Sequence, residues 1–97
     1  MNSMSETPQK DAIIKIIRAF YPNATIYLFG SYAKNKNKWG SDIDIAIDVG
    51  FRLNIHEQQF LWNLLNALPT AQKIDLVDMR AIPENMHDDI IKTGIAW

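Results

Sequence analysis

The chain carries Gly30-Ser31 and, ten residues further on, Asp42-Ile43-Asp44, with Lys34, Lys36 and Lys38 on the loop between them. In an extended segment side chains alternate faces, so Asp42 and Asp44 would project the same way, with Cα atoms roughly 6.5–7 Å apart at about 3.3 Å per residue. Two such carboxylates repel, and one would hold its proton to raised pH unless a cation lay between them. Oxygen ligands in a chain without cysteine suit Mg²⁺ or Mn²⁺. A glycine permits close backbone approach, and a serine hydroxyl with neighbouring amides can hold phosphate oxygens. A lone Asp-x-Asp pair more often marks the solvent face of an edge strand, and a lone Gly-Ser is usually an ordinary turn. Both together, at one fixed spacing directly after a strand, point instead to chemistry on a phosphate. The three lysines could steer a triphosphate or an anionic acceptor, although a solvated loop explains them as well.

The elements that must position these residues follow from periodicity. Thr7-Pro8 reads as an N-cap and first-turn proline, opening a helix through Ile13, Ile14, Ile16, Ile17 and Phe20 that Pro22 stops. Residues 24–29, rich in β-branched and aromatic side chains, read as a buried strand that ends at Gly30. Residues 31–41 have room for one short helical turn and a loop. Residues 42–48 then alternate Ile with polar or small residues, the clearest strand pattern in the chain. Asn54 with Glu57 has the form of a capping box before a helix through Phe60, Leu61, Leu64, Leu65 and Leu68. Residues 73–79 read as a third strand with helices on both faces. A last helix starts at Pro83 and ends at Gly94 as a C′ glycine. The order α-β-β-α-β-α with a short tail gives an α/β (α+β) fold, a small mixed sheet packed with helices, in a single domain spanning 1–97 with 1–8 expected to be flexible.

Composition narrows the function classes. A net charge of −1 provides no general basic field for nucleic acid, so direct nucleic-acid binding is not expected. The absence of cysteine excludes disulfides and thiolate metal sites. No apolar run is long enough for a membrane span and the N-terminus lacks a signal-peptide core, so a cytoplasmic location without membrane association is expected.

Gly30-Ser31, ten residues, then Asp42-Ile43-Asp44 resembles the GS-x10-DxD signature of the DNA polymerase β-like nucleotidyltransferases, most closely their minimal single-domain members. The resemblance runs from the first helix to the last. It implies the polymerase β-like fold and a third aspartate on a later strand. Asp75 fits that pattern, with Asp78 as the rival of opposite strand parity. It further implies a two-metal mechanism in which two Mg²⁺ ions (or Mn²⁺), about 3.5–4 Å apart, stabilise the attacking and leaving oxygens. Asp42 and Asp44 would bridge both ions, Asp75 would ligate the one nearest the acceptor, and Gly30 and Ser31 would hold the outer phosphates of a nucleoside triphosphate, ATP by resemblance. Minimal members of this family are commonly antitoxins paired with HEPN-domain toxins, which they modify with AMP on a tyrosine hydroxyl. With only a closing helix after Ala81, the acceptor is expected from a partner protein. A homo-oligomer, a non-catalytic module that neutralises its partner by covering it, and transfer to a small hydroxylated molecule remain open.

Other residues that invite a chemical role have plainer readings. Asp48 reads as a solvated strand-end carboxylate, and His56 and His87 as surface histidines. Trp62 and Trp97 read as core-edge packing, whereas Trp39, inside the signature loop, could stack on a base.

Overall fold

The structure, a computed structural model, describes residues 7–97; residues 1–6, and with them most of the segment expected to be flexible, lie outside the described residues. Helix α1 (Lys10–Phe20) turns Ile13 and Ile17, one helical turn apart, fully inward. Its start departs from the sequence reading. Thr7 is buried and its carbonyl accepts from the Lys10 N–H at 3.2 Å, so Thr7-Pro8 forms a turn rather than a cap. The helix opens at Gln9, which lies in the left-handed region at φ 62°.

There follow β1 (Thr25–Phe29), the short α2 (Gly30–Ala33), β2 (Ile43–Asp48), α3 (Ile55–Asn66), β3 (Ile74–Asp78), α4 (Glu84–Thr93) and β4 (Ile95–Ala96). They build one mixed sheet in the order β3-β2-β1-β4. β1 runs antiparallel to β2 and β4, whereas β2 and β3 are parallel, joined by the crossover through α3. The expected tail after Gly94 is therefore the edge strand β4, with Ile95 opposite Leu28.

Strand alternation sorts the side chains into two layers. Ile26, Leu28, Ile43, Ile45, Ile47, Ile74 and Leu76 meet Ile13, Ile17, Leu61 and Leu65 of α1 and α3 in the main core. Each fully buried aliphatic side chain here contributes about 1.5–3 kcal/mol. Trp62 and Trp97 pack at the edge of that core. On the other face Tyr27, Phe29, Ala46, Val77 and Met79 pack with Ile82, Met86 and Ile90, so α4 covers only part of it.

Two ends of helices show how local chemistry fixes this frame. At α3 the Asn54 side chain accepts from the Glu57 N–H at 2.8 Å while Glu57 accepts from the Asn54 N–H at 3.0 Å, closing the capping box the sequence announces. At α4 the expected left-handed C′ glycine is not formed: Gly94 is extended, at φ −76°. Glycine is needed there for space, since a Cβ would lie 2.5 Å from the Ile90 carbonyl oxygen and 3.1 Å from that of Leu28.

Candidate active site

Asp44 and Asp75 stand opposite each other across the parallel β2–β3 pair, and Phe29 stands opposite Asp44 on β1. Residues in register share a face, so Phe29, Asp44 and Asp75 form one row across the sheet. The adjacent row on that face, Tyr27, Ala46 and Val77, lies among the α4 contacts. The two carboxylates thus emerge beside α4, partly buried. Burial first, then repulsion from Asp75 and Asp42, pushes the Asp44 carboxyl up to about 6, with a hydrogen-bonding contact to Asp75 adding to the rise and Lys73 opposing it. The Lys73 ammonium lies 3.3 Å from Asp75 Oδ1.

The Gly-Ser turn reaches the same spot from β1. Gly30 has φ +75°, and a Cβ placed on it would come within 2.2 Å of Asp44 Oδ2. Backbone and carboxylate therefore touch where any larger residue would displace one of them. Ser31 follows in α2, which buried Tyr32 anchors in the main core. The Ser31 carbonyl accepts from the Lys36 N–H at 2.8 Å, closing the turn into the loop.

Asp42 precedes β2 and is exposed. Among the described residues no three His, Asp or Glu side chains are already gathered at metal-holding spacing. The donors nevertheless fit a hard divalent cation: all are carboxylates, and Asp44 carries the repulsion such an ion would relieve. Asp42, Asp44 and Asp75 are the residues that could hold it.

The remaining candidates separate clearly. Asp78, the rival third carboxylate, is only 2% exposed on the main-core side of β3, and its two oxygens accept from the backbone N–H groups of Leu53 (2.8 Å) and Arg80 (2.9 Å). It pins the β2–α3 loop to the end of β3. Asp48 pairs with Arg80 Nε at 2.8 Å and accepts from the Gly50 N–H at 2.9 Å; the Arg80 hydrogen bond lowers its pKa despite partial burial. Lys34, Lys36 and Lys38 are exposed. Trp39 is 96% exposed on a turn in which Ser41 bonds Lys38 through both its N–H and its hydroxyl oxygen. His56 is exposed, and His87 lies beside Asp88. One residue that sequence reasoning passed over is Asn66, the last residue of α3, whose carboxamide bonds both backbone groups of Ile74 next to Asp75. An asparagine near a helix end gives no hint of a contact with a strand eight residues later.

A four-stranded mixed sheet with a Gly-Ser turn set against facing strand carboxylates defines a nucleotidyltransferase domain of the polymerase β type. Residues 11–96 match the family described as "Polymerase beta, Nucleotidyltransferase", and the chain belongs to it. Among individual proteins it is similar to the protein adenylyltransferase MntA of Shewanella oneidensis, 34% identical over 87 residues that cover 88% of this chain. The match spans 61% of that relative's length. Among solved structures it is similar to a toxin–antitoxin crystal structure with AMP-PNP (TM-score 0.79, 31% identity, 90% of this chain and 71% of that one). A rebuilt structure of the tri-AMPylated Shewanella oneidensis HEPN toxin with its MNT antitoxin also matches (TM-score 0.71, 30% identity, 90% of this chain and 67% of that one). No helix among the described residues is long and apolar enough to cross a membrane.

Proposed function

We propose that the chain is an adenylyltransferase that moves AMP from ATP to a tyrosine hydroxyl of a HEPN-domain partner and so acts as its antitoxin. The observation that carries this reading is the contact of the Gly30 backbone with the Asp44 carboxylate, with Asp75 opposite in register. The Gly-Ser turn, whose amides and hydroxyl suit phosphate oxygens, thus lies directly against the carboxylates. The likeness to the AMP-PNP and AMPylated-toxin complexes supports ATP and a HEPN protein as the two substrates.

In this reading the Gly30-Ser31 turn holds the outer phosphates, and Asp42, Asp44 and Asp75 hold Mg²⁺. When bound, the ion would neutralise the triphosphate and acidify the acceptor hydroxyl. The hydroxyl oxygen bonds to the α-phosphorus, the bond to the β-phosphate bridging oxygen breaks, pyrophosphate leaves and the hydroxyl proton passes to solvent. The protein residues contribute alignment and charge placement rather than covalent bonding. ATP labelled at the α-phosphate should label the partner while γ-labelled ATP should not, and Asp42→Asn/Asp44→Asn should abolish the labelling. Labelling from the γ-position, or undiminished labelling in the variant, would contradict adenylyl transfer at this site.

A second reading has its own observation. Phe20 and Phe60 are each about half exposed and meet edge-on at 5.3 Å, lining a cleft of about 240 Å³ with Tyr21, His56, Glu57 and Leu61. This surface, away from the carboxylates, is suited to neutralisation by binding alone. Neutralisation that survives Asp42→Asn/Asp44→Asn would favour it.

A further inference from the structure

β3 is an edge strand, so the backbone groups of every second residue face away from β2. At Ile74, the residue before Asp75, the Asn66 side chain takes the place of a missing neighbour strand. Its Oδ1 accepts from the Ile74 N–H at 3.0 Å, and its Nδ2 donates to the Ile74 carbonyl at 2.9 Å and to the Trp62 carbonyl at 3.0 Å. Both amide protons and the carbonyl oxygen are thereby committed to backbone. Two residues along β3, the Gln58 Nε2 donates to the Leu76 carbonyl at 3.4 Å. Side chains of α3 therefore hold the outward backbone of the residues on either side of Asp75. Its inward side is fixed by the ladder to β2, where Lys73 accepts from the Ile43 N–H at 2.8 Å and Asp75 lies opposite Asp44.

We infer that Asn66 is a positioning residue for Asp75: by acting as a one-residue surrogate strand it sets the pitch of β3 at residue 75, and with it the approach of that carboxylate to Asp44. A helix tip thus tunes the divalent-cation site from the far edge of the strand. This inference rests on the reading of Asp42, Asp44 and Asp75 as metal-holding carboxylates. The amide contacts recur on both sides of Asp75, which a simple helix end would not require. Outer groups that orient a metal ligand typically change affinity by about 10–100-fold when removed.

The test is a double-mutant cycle on Mn²⁺ affinity, measured by titration with Mn²⁺ alone, for the wild-type chain, Asn66→Ala, Asp75→Asn and the double variant. Asn66→Ala should weaken Mn²⁺ binding about tenfold, at the lower end of that range. The double variant should bind no more weakly than Asp75→Asn alone, because the clamp acts only through Asp75. In transfer assays Asn66→Ala alone should lower kcat while the KM for ATP stays within about twofold, since the contact to the phosphate turn is untouched. If Asn66→Ala folds poorly, Asn66→Asp keeps the acceptor for the Ile74 N–H, removes the donor and enters the same cycle. Mn²⁺ affinity that is unchanged in folded variants, or losses that simply add, would overturn the inference while leaving the proposed activity standing. A wild-type chain that binds no Mn²⁺ would overturn both.

Discussion

Asp75 faces Asp44 directly across the parallel β2–β3 pair, and burial first, then the Asp75 charge, opposes ionisation of the Asp44 carboxyl. The free protein therefore carries an electrostatic cost at Asp44 that a bound cation would relieve. Because the folded-state pKa of Asp44 is raised to about 6, above its ordinary 3.8, the folded protein binds the extra proton more tightly than the unfolded chain. Stability from this group is thus gained as pH falls through about 6 and is absent at neutral pH.

Asp44→Asn should accordingly raise the melting temperature of the metal-free protein at pH 7 and flatten its stability between pH 4 and 6. After allowance for solvent screening at a partly exposed site, the gain is about 1 kcal/mol. Thermal melts across this pH range check it, and a variant less stable than wild type at pH 7 would refute that cost. Mg²⁺ should stabilise the wild type at pH 8 more than at pH 5 and should have little effect on the variant.

Gly30→Ala should damage the site and the fold together. The new methyl would meet Asp44 Oδ2 at 2.2 Å on a backbone of positive φ. The backbone conformation alone costs about 1–2 kcal/mol for a non-glycine residue. Activity should fall at least a hundredfold, measured at a temperature where circular dichroism shows the variant folded.

Asp75 and Asp78 should fail in opposite ways. Asp78→Ala leaves the Leu53 and Arg80 N–H groups without their acceptor and should destabilise by about 2–4 kcal/mol in chemical denaturation. Asp75→Asn should leave the denaturation midpoint near that of wild type and remove transfer activity. Equal stability losses would show that the division of labour between the two aspartates is misassigned.

Lys73→Met should tighten divalent-cation binding, since its ammonium sits 3.3 Å from Asp75 Oδ1 and competes for that carboxylate. The side chains of this pair are partly exposed, so the change should stay within about fivefold in Kd. Calorimetric titration with Mn²⁺ measures it, and weaker binding would instead assign Lys73 to holding Asp75 in place.

What could be read before the structure was what short spacing encodes. The Asn54–Glu57 box, the Ile alternation through Ile43–Asp48 and the Gly30/Asp44 spacing all express contacts or periodicities within one segment and its immediate neighbours. Strand parity separated Asp75 from Asp78, and the structure places them on opposite faces. The features that escaped depend on distant backbone. Ile95–Ala96 becomes a strand only because β1 offers a free edge. Gly94 is required by the Leu28 and Ile90 carbonyls, and Gln9 opens α1 because Thr7 turns inward. Asn66 acquires its partner only when α3 folds back beside β3.

The most direct measurement is the intact mass of the proposed HEPN-domain partner after incubation with this chain, Mg²⁺ and ATP, beside the Asp42→Asn/Asp44→Asn variant. Transfer at a carboxylate-held metal site requires a gain of one or more units of about 329 Da, one AMP each, that disappears in the variant. An unchanged mass, with both proteins forming an equally tight complex with the partner, would contradict it and leave binding alone as the function.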